Sequence, residues 1–120
     1  MTAVLIIEDD KANREVFTKI LARAGFKVES AENGLEALRL LGNTSYDVIV
    51  CDIAMPMLSG IGFFEQIEKT YPQMVSRTMF VTAYADDPSM KGFLKRTGQP
   101  VMEKPVAMAA LVEAVRKMAG

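Results

Sequence analysis

Histidine is absent from this 120-residue chain, and cysteine occurs once, at Cys51. The missing histidine excludes histidine-based acid–base catalysis and zinc sites, and a single cysteine excludes an internal disulfide framework. No apolar run approaches the roughly 18 residues that cross a bilayer, and the N-terminus lacks a basic-then-apolar leader. Neither sign of charge dominates: 14 Lys and Arg stand against 15 Asp and Glu, and the longest like-charged block is Glu8-Asp9-Asp10. That balance predicts a cytoplasmic protein with no nucleic-acid or membrane partner. Any chemistry falls to carboxylates, hydroxyls and lysine. Half of the residues are hydrophobic, and the length suits one domain, residues 1–120, around one core.

Short apolar runs alternate with helical patterns along the chain. Val4 to Ile7 reads as a strand covered on both faces. The acidic triplet follows, then Val16, Phe17, Ile20, Leu21 and Ala24 at helical spacing, closed by Gly25. Phe26 to Ala31 alternates apolar and polar, as an edge strand does. Asn33-Gly34 signals a cap before a short helix carrying Leu35, Ala37, Leu38 and Leu41. Val48 to Val50 is a buried run ending at Asp52, with a turn at Met55-Pro56. A helix from Ser59 to Tyr71 is stopped by Pro72, and Thr78 to Thr82 is the fourth strand. Residues 83–97 predict a short helix weakened by Gly92 and capped at Asp86 or Asp87 with Pro88. A brief fifth strand within Gly98 to Met102 and a last helix through Met108, Leu111, Val112, Val115 and Met118 complete the chain. Five strands alternating with five helices predict an α/β fold, a parallel sheet joined by right-handed crossovers in three layers.

In such a sheet the residues at the carboxyl ends of the strands share one edge, where ligands bind. They are Glu8, Asp9 and Asp10, then Asp52, Thr82 and Lys104. Clustered carboxylates repel and call for a cation between them; Mg²⁺, a hard ion taking carboxylates, water and phosphate oxygen, is the natural guest. A carboxylate can attack phosphorus to form an aspartyl phosphate, and an ammonium and a hydroxyl from the same edge can neutralise the transferred group. Cys51, turned away from Asp52 by strand alternation, reads as an inert buried thiol. Asp10 reads as a charge favoured at a helix N-terminus. Most of the nine methionines read as core filler, while Met90, Met102 and Met108, near the last two elements, leave a Met-rich partner surface as the alternative.

Four motifs, Leu5-Ile6-Ile7-Glu8-Asp9-Asp10, Asp47 to Asp52 with Met55-Pro56 and Gly60, Val81-Thr82-Ala83, and Glu103-Lys104-Pro105, with intervals of 43, 30 and 22 residues between Asp9, Asp52, Thr82 and Lys104, resemble the receiver domains of two-component response regulators over the whole chain. The resemblance implies a flavodoxin-like (βα)5 fold, strand order 2-1-3-4-5. It implies that Asp52 accepts a phosphoryl group from a histidine kinase or histidine phosphotransfer protein. Mg²⁺ would be held by Asp9, Asp52 and the Ala54 carbonyl, with Glu8 acting through water. Thr82 and Lys104 would contact the phosphoryl group, Lys104-Pro105 would be cis, and a downstream protein would read the fourth helix, fifth strand and fifth helix. Such a domain catalyses only its own phosphorylation and dephosphorylation, with Ala54 and Tyr84 tuning water access.

Two features depart from the family pattern. Val101 stands where receivers usually carry Phe or Tyr, leaving Tyr84, two residues after Thr82, as a partial substitute. Residues 93–105 lack the usual Gly-Ala before the fifth strand and look more like the C-terminal receivers of hybrid sensor kinases. Two other function classes are open to a domain of this kind: an interaction module that no longer uses phosphate, and a metal-dependent phosphohydrolase. The retained acids, hydroxyl and amine argue against the first. Ala54, standing where aspartate-based phosphatases commonly place a second acid, argues against the second.

Overall fold

The apolar runs form strands in the computed structural model, which describes residues 1–53 and 59–120. In chain order the elements are β1 (Ala3–Ile7), α1 (Lys11–Arg23), β2 (Lys27–Ala31), α2 (Gly34–Leu41), β3 (Val48–Asp52), α3 (Gly60–Thr70), β4 (Thr78–Thr82), α4 (Pro88–Thr97), β5 (Val101–Glu103) and α5 (Met108–Ala119). The strands pair in parallel in the order β2-β1-β3-β4-β5. The Met55-Pro56 turn expected after β3 lies outside the described residues.

Alternation along the strands divides the core into two layers. Leu5, Ile7, Ile49, Cys51 and Phe80 pack with Ala37 and Leu41 of α2, Phe63, Phe64 and Ile67 of α3, and Phe93 of α4. Val4, Ile6, Val48, Val50, Met79 and Val81 pack on the other face with Phe17 and Leu21 of α1 and Leu111 and Val115 of α5. Because both faces are covered, the central strands are continuously apolar; β2, at the edge, exposes its polar Lys27 and Glu29 and becomes buried only at Ala31, in keeping with the alternation in its sequence. Asp47, just before β3, is structural. Its amide donates to the Ala3 carbonyl and its carboxylate accepts from the Ala3 amide, both at 2.8 Å, pinning the start of β1 to β3.

The helix starts follow from side-chain caps. Asp10, Asn33 and Ser59 accept from the amides of Asn13, Glu36 and Gly62, each satisfying a donor that the first helical turn leaves free. Asp87 caps α4 by accepting from the Ser89 amide and hydroxyl, and Gly98 ends that helix in the left-handed conformation, φ +68°.

Three local expectations change. Val16 and Leu35, assigned to the apolar faces of α1 and α2, are 45% and 50% exposed. Helical periodicity alone places a residue only to within the width of an apolar stripe. Pro72 does more than stop α3, since it opens a short 3₁₀ segment, Pro72–Arg77, where its missing amide costs nothing. The weakly specified helix is a full ten residues. Phe93 packs edge to face on Phe64 and Phe80 with ring centroids 5.7 and 5.3 Å away, and that tertiary contact outweighs the local cost of Gly92.

Candidate functional site

Parallel register brings the strand ends into line. Ile7 pairs with Cys51, Asp52 with Val81 and Thr82 with Glu103, so the residues that follow β1 and β5 flank Asp52. Carboxylate oxygens of Glu8, Asp9 and Asp52 lie within 4.8 Å of one another. Lys104 Nζ reaches into the group, 2.7 Å from Glu8 Oε1 and 3.1 Å from Asp52 Oδ2. Thr82 is fully buried; its Oγ1 accepts from the Tyr84 amide at 3.0 Å, and its carbonyl accepts from the Lys104 amide at 2.9 Å. The Lys104-Pro105 bond is cis, in line with the resemblance. Glu8, Asp9, Asp52 and Lys104 thus meet at one edge, with Thr82 joined to Lys104 through the backbone. The Ala54 carbonyl lies outside the described residues.

Burial raises the pKa of Glu8, and the neighbouring Asp52 raises it further, against the opposing pull of Lys104. Asp9 is also raised, by partial desolvation and by Glu8. Burial would lower Lys104, but its bonds to Glu8 and Asp52 outweigh this and hold it above its usual value. The ammonium therefore stays charged and offsets part of the carboxylate repulsion. Cys51 is buried on the opposite face, its thiol pushed well up by desolvation, and its S–H donates to the Asp52 carbonyl at 3.4 Å.

These shifts fix the sign of a pH effect. A carboxyl whose folded pKa lies above its unfolded value stabilises the fold while protonated, and that contribution is lost as pH rises through the folded pKa. Relative to Glu8→Gln, the metal-free wild type is expected to lose stability as pH climbs from 4.5, the ordinary value for Glu8, by about 1.4 kcal/mol per unit of elevation. Urea unfolding of both proteins between pH 4 and 8 measures this; parallel curves would show that Glu8 carries no such shift. Lys104 does not confound the comparison, because its contribution is present throughout that window.

The donor set suits a hard cation. All three side chains offer oxygen, as Mg²⁺ requires at about 2.0–2.1 Å, and the neighbouring carboxylates add to the burial that raises Glu8 and Asp9. Among the described residues, the group contains neither sulfur nor imidazole.

Gly60, at the first turn of α3, is held for a steric reason. A Cβ there would fall 2.6 Å from Ile53 Cα and 2.7 Å from the Asp52 carbonyl oxygen, both main-chain atoms, while the Gly60 amide donates to the Ile53 carbonyl at 2.8 Å. Only glycine lets α3 approach the end of β3 this closely. Arg14 is a residue the sequence reading passed over. It lies near the start of α1, where a cation opposes the helix dipole, and that misfit was a signal that it serves another partner.

Tyr84 is 57% exposed and Val101 41% exposed. Neither is an interior ring beside Thr82.

Among the described residues, no helix is long and apolar enough to cross a membrane. The family model of the response regulator receiver domain matches residues 4–116. A cyclic di-GMP phosphodiesterase of Thermotoga maritima is 36% identical over 108 residues, which is 90% of this chain and 28% of that protein. A CheY-like receiver domain protein of Methanospirillum hungatei matches with a TM-score of 0.89 and 28% identity, covering 99% of this chain and 94% of that one. The response regulator TrrA of Thermotoga maritima, solved in complex with Mg²⁺-BeF, matches with a TM-score of 0.84 and 28% identity over 98% of this chain and 99% of that one. The chain spans 28% to 47% of the length of three curated relatives. With the family model covering nearly the full length and the strand order and acidic edge arranged as that family requires, the chain belongs to the response regulator receiver domains of two-component signalling.

Proposed function

We propose that this receiver, acting in the cytoplasm as a single domain over residues 1–120, takes a phosphoryl group onto Asp52 from a histidine kinase or histidine phosphotransfer protein. The observation that carries the reading is the convergence of the Glu8, Asp9 and Asp52 oxygens within 4.8 Å, with Lys104 Nζ on two of these acids. An Asp52 carboxylate oxygen forms the new P–O bond as the P–N bond of the donor phosphohistidine breaks, and the electron pair returns to the imidazole. Glu8, Asp9, Asp52 and the Ala54 carbonyl are the groups that would hold Mg²⁺. When bound, the ion supplies positive charge against the carboxylates and the phosphoryl oxygens. Lys104 exchanges its contact with Asp52 for a phosphoryl oxygen, and Thr82 donates its hydroxyl to another.

Phosphorylation adds about −1.5 to −2 charges at the strand edge. Lys104 and Thr82 are joined through the β4–β5 backbone, so their response to that charge reaches α4, β5 and α5, the face that binds a downstream protein. Val101 on β5 belongs to that face. Because Val101 is not aromatic and Tyr84 is largely exposed, the response runs through Thr82 and the β4–α4 loop rather than through a buried ring. Tyr84, beside Thr82, tunes access of water to the acyl phosphate, as does Ala54. The domain turns over only its own phosphoryl group.

Intact-mass measurement tests the reading. With acetyl phosphate and Mg²⁺ the chain is expected to gain one phosphoryl group, and to gain none when the metal is chelated. An unchanged mass, while a known receiver is labelled in parallel, would overturn it.

A further inference from the structure

Beyond Ile7 the parallel ladder of β1 ends, and the three consecutive acids Glu8, Asp9 and Asp10 leave the sheet as a connection into α1. Their mutual repulsion favours splaying this connection apart, yet the site needs Glu8 and Asp9 turned inward toward Asp52. The Glu8 amide is tied on one side, to the Ala31 carbonyl of β2 at 3.1 Å. On the other side stands Arg14. Its Nη1 donates to the main-chain carbonyl of Glu8 at 2.9 Å and to that of Asp9 at 3.3 Å. A single guanidinium nitrogen thus bridges the carbonyls of the two acids, anchored to the first turns of α1. The side chain is half-buried.

Resting on the phosphoacceptor reading above, we infer that Arg14 is a positioning residue for the cation site, clamping the Glu8 and Asp9 backbone so that both carboxylates converge on Asp52. It acts through main-chain carbonyls and touches neither the ion nor the phosphoryl group. The placement explains a cation in a part of α1 that the helix dipole disfavours. It also makes a geometric demand that charge alone does not meet, because lysine carries the same charge on a nitrogen of shorter reach and without the fixed planar N–H directions.

The test compares wild type with Arg14→Lys and Arg14→Ala. Groups that orient metal ligands typically change metal affinity by about 10–100-fold when removed. Mg²⁺ titration by calorimetry is expected to show affinity about tenfold weaker for both variants, while the metal-free unfolding midpoint of Arg14→Lys stays close to wild type. Amide hydrogen exchange at residues 9 and 10, measured without metal, is expected to quicken in both. A merely electrostatic role would leave Arg14→Lys with wild-type affinity and exchange, and that result would overturn the inference. If wild type binds Mg²⁺ and takes up phosphate while both variants match it, the clamp alone is wrong. If wild type itself binds no Mg²⁺, the phosphoacceptor reading fails and the clamp falls with it.

Discussion

Asp52→Asn is expected to gain no phosphoryl group under conditions that label the wild type fully. The amide is close to the carboxylate in size and still accepts a hydrogen bond from Lys104, so the fold is retained, but the nucleophilic oxygen is gone. Intact mass with acetyl phosphate and Mg²⁺ reads the result. The variant also separates the receiver reading from a module that ignores phosphate. If a downstream partner binds wild type and Asp52→Asn with equal affinity, with and without phosphodonor, the output does not depend on phosphorylation. Removing the Asp52 charge should lower the Glu8 pKa only part of the way toward its ordinary value, because burial is the larger cause of its elevation.

The largest expected loss of stability is at Phe80. Its ring is fully buried on β4 and meets Phe64 and Phe93 edge to face, with centroids 5.4 and 5.3 Å away. Phe80→Ala removes both contacts and leaves a cavity between the sheet, α3 and α4, at a cost of about 3–5 kcal/mol. Total stabilities of domains this size run to about 5–15 kcal/mol, so a large share is lost. Urea unfolding should show a lower midpoint with an unchanged slope, since the surface exposed on unfolding is nearly the same. A cost below about 1 kcal/mol would mean that the neighbouring rings close the gap. Because Phe93 is the buried anchor of α4, the same variant should also quicken amide exchange along α4 relative to α5.

The sequence by itself determined the alternation of strands and helices, the cap at Asn33, a helix-start charge at Asp10, a cap for α4 at Asp86 or Asp87, and the set of polar residues at the strand ends. These are local properties: strand runs and helical stripes follow from backbone periods, caps from short-range hydrogen bonds, and strand ends from where an apolar run meets a charge. The resemblance added the strand order and the cis bond before Pro105. Tertiary structure decided what depends on distant partners. Helical period put Val16 and Leu35 on apolar faces, but whether a neighbouring helix covers them is set by packing. Gly92 argued against α4 until Phe93 met Phe64 and Phe80 across the sheet face. Asp47 was one acid among many until its carboxylate met the Ala3 amide. Gly60 matched a motif, but the reason for it is how closely α3 approaches the carbonyl of Asp52. Arg14 gave only the faint signal of a misplaced cation, because its partners are main-chain carbonyls, and main-chain atoms leave no trace in a residue pattern. The acids at the sheet edge were legible in the order of the residues; what holds them facing one another was not, because that is geometry between segments far apart along the chain.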